Sequence, residues 1–309
     1  MKPQTKAMLM GCCVVLFWST VATSFKIALS EMGYIQLLLI ASLTALVITS
    51  VFAISTGKFP VIRSLFSNPG ELKKLALQSI LNPFLYYLVL FKAYSLLPAQ
   101  IAQPLNYTWQ VVLILMMAIL LKQRLKIIQI AGVLISFSGV ILLSFNSGAS
   151  PQGELSAEGI LLVLGSAFIW ASFWILKMKN QNEPVAELFF NFLFGSAYLL
   201  ILSLFIPMEW PSARGLLAAV YSGAFEMGFT FILWLNALKV ATNRVVLTQI
   251  TYFSPLLSLV LIHFVLGENI SYITVVGLLL ITGGIILSNG RIKLSKRRIK
   301  VSIGDVNQD

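Results

Sequence analysis

Glu226 is the side chain with the most chemistry within reach. It lies deep in an apolar run, Gly215–Leu238, and is the only acid so placed. A charged side chain at the centre of a bilayer costs ~2.5 kcal/mol or more on insertion scales, so the group must be protonated, paired or hydrated. Three roles follow: exchanging a proton, pairing with an amine, or making a structural hydrogen bond. A second feature is a polar stripe. Gln100, Gln103, Asn106, Tyr107 and Gln110 recur at spacings of three and four, which puts them on one face of a helix. Such a face cannot look at lipid. It lines a cavity or bonds to neighbouring helices. Thr248, Gln249, Thr251, Tyr252 and Ser254 form a broader polar band elsewhere, ahead of Pro255. That proline frees the carbonyl of Thr251, four residues back.

Aromatic side chains could stack a planar ligand. Trp18, Trp170, Trp174 and Trp234 are candidates, with Trp234 about two turns from Glu226 and read as a cavity wall. Tryptophan also belongs at membrane interfaces and tight helix seams. The candidate binding set is therefore Trp18, Asn82, Tyr86, Gln103, Asn106, Tyr107, Gln110, Trp170, Glu226, Trp234 and Tyr252. Lys26 and Lys92 end helices and are read as interfacial anchors rather than carboxylate binders. His263, the single histidine, is read as a packed or interfacial residue. Cys12 and Cys13 are adjacent, and neither a disulfide framework nor a zinc site follows from them. No metal, cofactor or nucleotide loop is expected.

The elements that hold these residues follow from composition. Hydrophobic residues make up 58% of the 309, charged residues only 11%, and the mean hydropathy is +0.89. Ordinary soluble domains carry roughly 25% charge. A soluble globule, a disordered chain and a fibrous repeat are excluded. The net charge of +11 would suggest nucleic acid on a soluble protein. Here the positive residues fall in short gaps between apolar runs, as in loops beside anionic lipid. The expected fold is an all-α polytopic membrane protein with ten transmembrane helices. The runs are Ala7–Leu29, Tyr34–Ile54, Leu75–Ser95, Ala99–Leu121, Ile127–Phe145, Gly159–Met178, Val185–Ile206, Gly215–Leu238, Val245–Leu266 and Tyr272–Ser288. The first run is too long for a cleaved leader and has no clear small-residue cleavage site. All of the 22 lysines and arginines except Lys26, Lys92 and Arg214 fall on one side when the spans alternate. That bias places both termini in the cytoplasm of a plasma-membrane protein. The basic tail from Arg291 is read as a lipid anchor.

The two halves, 7–145 and 159–288, align with each other, and 289–309 follows as the tail. Phe17-Trp18-Ser19 matches Ile169-Trp170-Ala171, Ala93 matches Ala237, Asn82 meets Glu226, and Pro104 meets Thr248. Tyr107–Leu113 lies opposite Thr251–Leu257, and Gly132 and Gly139 align with Gly277 and Gly284. An odd span count per half makes the repeats inverted. Inverted repeats typify secondary transporters, with the substrate site between the halves. Spans one, three, four, six, eight and nine are expected to enclose that site. Spans five and ten, which carry Gly132, Gly139, Gly277, Gly283 and Gly284, would pack behind it or form the seam of a homodimer.

This pattern resembles the drug/metabolite transporter superfamily, in its EamA-type branch, over residues 7–289. The stretch Phe264–Gly277, with Gly267-Glu268 and then Gly283-Gly284, is similar to the family's glycine–glutamate turn and last helix. Asn106-Tyr107-Thr108-Trp109 and Thr251-Tyr252-Phe253-Ser254-Pro255 resemble its aromatic amino acid exporter branch. The chain departs from the pattern at Lys122-Gln123-Arg124, where the family often repeats the glutamate, and at Gln110, where the exporter branch shows proline. The resemblance implies a secondary transporter of small organic metabolites in the lipid bilayer, of amino-acid-like type, working by alternating access. The alternative is a membrane-embedded enzyme acting on lipid. It lacks the acid or histidine clusters such chemistry uses.

Overall fold

A computed structural model describes residues 1–120, 125–146, 155–177 and 182–288, the side chain of Val245 excepted. The turn at Lys122-Gln123-Arg124, most of the loop between the halves and the basic tail lie outside the described residues. The spans are α1 (Pro3–Leu29), α2 (Tyr34–Ser55), α3 (Pro69–Leu96), α4 (Ala99–Leu120), α5 (Ile127–Ser144), α6 (Ala157–Lys177), α7 (Pro184–Ser203), α8 (Ala213–Val240), α9 (Val246–Leu266) and α10 (Tyr272–Ser288). Among the described residues the first nine are long and apolar enough to cross a hydrocarbon core, α10 with 17 residues is a shorter apolar helix, and a helix satisfies its backbone internally there. Lipid-facing positions carry bare apolar side chains, among them Leu16, Val47, Ile119, Leu134, Phe168 and Leu279. A short helix, Phe59–Phe66, joins α2 to α3. The sequence presented it only as part of a charged loop.

The protein is a ten-helix membrane protein of two inverted five-helix repeats, and the packing carries the symmetry. α1 lies against α8 and α9, as α6 lies against α3 and α4. The pairs α2–α7 and α5–α10 sit across the pseudo-dyad. Hydroxyl pairs mark the seams: Ser42 with Ser196 at 2.8 Å and Ser24 with Ser222 at 2.9 Å.

The aligned glycines meet one another. A Cβ on Gly132 would stand 2.6 Å from the carbonyl oxygen of Gly284, and one on Gly139 would stand 2.7 Å from that of Gly277. Only hydrogen fits at these crossings, so α5 and α10 pack backbone to backbone. Ser136 and Gln129 add bonds to the carbonyls of Ile281 and Ser288, at 3.0 and 3.2 Å. Gly283 differs from its neighbour. It is exposed, with nothing within 4 Å of an added Cβ, so it belongs to the lipid face and not to the seam.

Helix irregularities also repeat. α3 is broken at Ile80–Leu85, where Asn82 ahead of Pro83 is extended at φ −146° and ψ 122°, and α8 widens into a π-turn at Gly223–Gly228 around Glu226. α4 breaks at Tyr107 after Pro104, and α9 tightens into a 3-10 turn at Ile250–Phe253 ahead of Pro255. These breaks occur at the offset that aligns Asn82 with Glu226. π-turns and interrupted spans re-aim side chains and free backbone groups, and they concentrate where a cavity rather than lipid receives them.

Candidate functional site

Glu226 projects from the π-turn of α8 towards α3, just past the break at Asn82. Glu226 is half-buried, and its Oε1 accepts a hydrogen bond from the Tyr87 hydroxyl at 3.1 Å. The sequence offered Asn82 as a partner across the pseudo-dyad. The bond goes instead to Tyr87, one turn further along α3. Asn82 is 1% exposed, and its Oδ1 has no hydrogen-bond partner among the described residues. An acceptor oxygen left bare in a membrane interior is costly unless water or a ligand meets it.

Tyr86 stands beside Tyr87, with ring centroids 4.7 Å apart. Its hydroxyl accepts from Asn106 Nδ2 at 3.1 Å, and its ring stacks on Trp170 at 4.3 Å. Trp170 in turn meets Trp109 edge-on at 6.2 Å, Trp174 at 6.0 Å and Phe231 at 6.0 Å. Glu226, Tyr87, Tyr86, Asn106 and Trp170 thus come from α8, α3, α4 and α6 and link both halves. The arrangement offers one carboxyl, one amide and flat aromatic faces. It can hold a small molecule with an amine or exchangeable proton at one end and an apolar or planar body at the other.

The remaining candidates are distributed as follows. Gln103 is 4% exposed, and its Oε1 has no hydrogen-bond partner among the described residues. Tyr107 and Gln110 are half-buried on the broken part of α4. Tyr252 is buried in the main apolar cluster, which also holds Tyr86, Tyr87, Trp170 and Phe231. Trp18 and Trp234 pack on each other, 5.9 Å between ring centroids, in a separate cluster with Ala7, Val14, Ala237 and Leu247. Gln100, the outer member of the polar stripe, bonds to Asn269 O at 3.1 Å and to Thr274 Oγ1 at 2.9 Å. It therefore fastens α4 to α10.

Polar residues at the helix ends have structural partners. Lys26 donates to the carbonyls of Tyr94 and Leu97 at 3.0 and 3.1 Å, covering the orphan carbonyls at the end of α3. Snorkelling to the interface is replaced by helix capping, because the tight turn between α3 and α4 presents those carbonyls to it. Glu268 caps the other side of that turn, accepting from Ala99 N at 2.8 Å and Gln100 N at 3.1 Å. Gly267 ahead of it takes φ +69°, which glycine adopts without strain. His263 Nδ1 bonds to Glu268 O at 2.9 Å, and Lys92 lies over the Tyr34 ring at 5.5 Å.

Sequence reasoning passed over a second buried acid. Glu187, at the start of α7, is 3% exposed; its Oε1 accepts from Gln78 Nε2 at 2.8 Å, and Lys177 lies 3.7 Å from its Oε2. Glu183 caps the same helix at Val185 N and Ala186 N, and sits 3.8 Å from Lys58 and 3.7 Å from Lys239. These pairs tie the start of α3 to α6, α7 and α8 at one end of the molecule. Tyr87 was passed over too, although it adjoins Tyr86.

The model of the EamA-like transporter family matches residues 5–145 and again residues 157–290. An aromatic amino acid exporter, YddG, of Ancylobacter novellus is 28% identical over 262 residues, covering 84% of this chain and 88% of the relative. The exporter of the same name from Escherichia coli is 24% identical over 287 residues, covering 90% and 95%. An uncharacterized transporter of Clostridium kluyveri is 28% identical over 280 residues. A solved crystal structure superimposes with a TM-score of 0.65 at 24% identity over 92% of this chain, a likeness of fold alone.

Proposed function

Because the chain belongs to the EamA-like transporter family, we propose that it exports amino-acid-like metabolites across the plasma membrane by alternating access, with Glu226 at the centre of the path. The chain is a multi-pass membrane transporter and not an enzyme, as its family and relatives are. The observation that carries the finer reading is the half-exposed Glu226, held by Tyr87 where two irregular helices from opposite halves meet. A carboxyl so placed gives either an amine site or a proton carrier, and the buried, mutually stacked Trp170 and Tyr86 beside it give an aromatic wall. The exporter relatives favour a substrate with an aromatic or apolar body. Rocking of one half against the other would expose the site to each side in turn. The Lys58–Glu183 ion pair and the Gln78–Glu187 hydrogen bond join the two halves at one end, so they would open when that end does.

The test is a metabolite-resistance screen in cells overproducing the chain. Protection against one class of amino acid or analogue, with lower accumulation inside the cell, is the expected result. Trp170→Ala should remove that protection, since it takes away the face on which Tyr86 stacks. Protection without lowered accumulation would contradict export.

For topology, we infer that both termini lie in the cytoplasm, on the strength of the charge bias. Reporter fusions after Gly148 and after Lys296 should land outside and inside respectively. The same side for both would contradict the odd span count of each half.

A further inference from the structure

Between the outer half of α1 and the start of α8 runs a groove of about 600 Å³, lined by Thr20, Thr23, Ile27, Arg214, Leu217 and Tyr221. Its direction is set by helix geometry. Leu9, Cys13 and Leu16 are exposed on α1, and their spacing continues to Thr20 and Ile27. The groove therefore opens on the same side of α1 as those exposed side chains, at the rim of the seam where α1 of the first half meets α8 of the second. Tyr221 and Thr20 close its inner end with a 2.8 Å hydrogen bond. The lining runs from Thr20 to Ile27 on α1 and from Tyr221 back to Arg214 on α8, about 10 Å along the axis at 1.5 Å per residue. One leaflet of hydrocarbon is about 15 Å deep, half of a ~30 Å core. The groove thus covers about two thirds of one leaflet.

Its other end carries a cation. Arg214 is exposed and makes no hydrogen bond or ion pair among the described residues. It stands in the first turn of α8, directly after the Ser212 cap, which accepts from Gly215 N at 3.0 Å. The positive end of the helix adds to the guanidinium charge there. Within the groove the Oγ1 of Thr23, 6% exposed, has no partner among the described residues. A largely apolar trough most of a leaflet long, with an exposed guanidinium at its water end, suits one acyl chain and the phosphate of a single acidic lipid.

We propose that the α1–α8 groove is a binding site for one anionic phospholipid, its acyl chain along Ile27, Leu217 and Thr20 and its phosphate on Arg214. Arginine meets a phosphate with two parallel hydrogen bonds, which a zwitterionic lipid also offers. The negative net charge of the anionic lipid then supplies the preference, with no choline group to oppose the guanidinium.

The test is native mass spectrometry of the full chain after exchange into equal amounts of phosphatidylglycerol and phosphatidylcholine. The wild type should retain one phosphatidylglycerol. Arg214→Gln should lower that retention about fivefold, the worth of one basic residue beside an anionic surface. Arg214→Lys should keep most of it, and Lys239→Gln, at the far end of α8, should change nothing. Millimolar inorganic phosphate should leave the lipid in place, because the acyl chain holds it. Equal retention by wild type and Arg214→Gln would overturn the site. So would equal retention of the two lipids, displacement by phosphate, or a lipid-free dimer of the chain.

Discussion

Glu226→Gln is expected to insert and express normally and to lose gradient-driven transport by roughly tenfold or more, because the amide can neither carry a proton nor pair with an amine in the membrane interior. The substitution keeps the shape, and it keeps an oxygen that can accept from Tyr87, which now donates at 3.1 Å. Stability should therefore change little, and the loss should appear in transport alone. Uptake or efflux in proteoliposomes with an imposed pH gradient, read beside the thermal stability of the same preparation, separates the two. Wild-type rates with an unchanged pH dependence would leave Glu226 with only its hydrogen bond. Tyr87→Phe gives a second view of the same contact. It frees the carboxyl of the Tyr87 hydrogen bond without removing the acid, so binding should weaken less than in Glu226→Gln.

Gly284→Ala is expected to destabilise the fold, and Gly283→Ala to leave it unchanged. The first would press a methyl group onto the backbone of Gly132 and the hydroxyl of Ser136 in the α5–α10 seam, while the second meets nothing within 4 Å. Overpacking a tight interior costs about 1–3 kcal/mol, and more when the obstacle is backbone. Thermal unfolding followed by size exclusion should show a lowered midpoint for Gly284→Ala alone. Equal behaviour of the two neighbours would mean that the seam can open to admit the methyl group.

These adjacent glycines show how far the sequence reaches. The seven-residue spacing of Gly132 with Gly139 and of Gly277 with Gly284 was visible as a pattern, and the pairs pack on each other. Gly283 carries the same residue type, but only the helix rotation says that it faces lipid. Ten spans, their inverted halves and the depth of Glu226 likewise follow from hydropathy and alignment. The partner of Glu226 does not. A π-turn inserts one residue into the helix and rotates everything beyond it by about 100°. Such a turn at Gly223–Gly228, with the break at Asn82 in α3, therefore decides whether Asn82, Tyr86 or Tyr87 reaches the carboxyl. Face-sharing arguments from Glu226 to Trp234 cross one of these turns, and Trp234 packs on Trp18. Glu187 was hidden for a different reason. It sits among the charges at a span's edge, where solvation is the ordinary expectation, and burial comes from Gln78 and Lys177 on other helices.

Asn106 gives the most direct access to the central claim, that the path runs between the halves past Glu226. It is half-buried on α4, bonded to Tyr86, and belongs to the stripe the sequence first marked. Asn106→Cys, in a chain whose exposed Cys12 and Cys13 are changed to serine, can be treated with a water-soluble, membrane-impermeant thiol reagent in right-side-out and in inside-out vesicles. The account predicts labelling from both sides, slowed by the transported metabolite. Failure to label from either side, or labelling that the metabolite leaves unchanged, would contradict it.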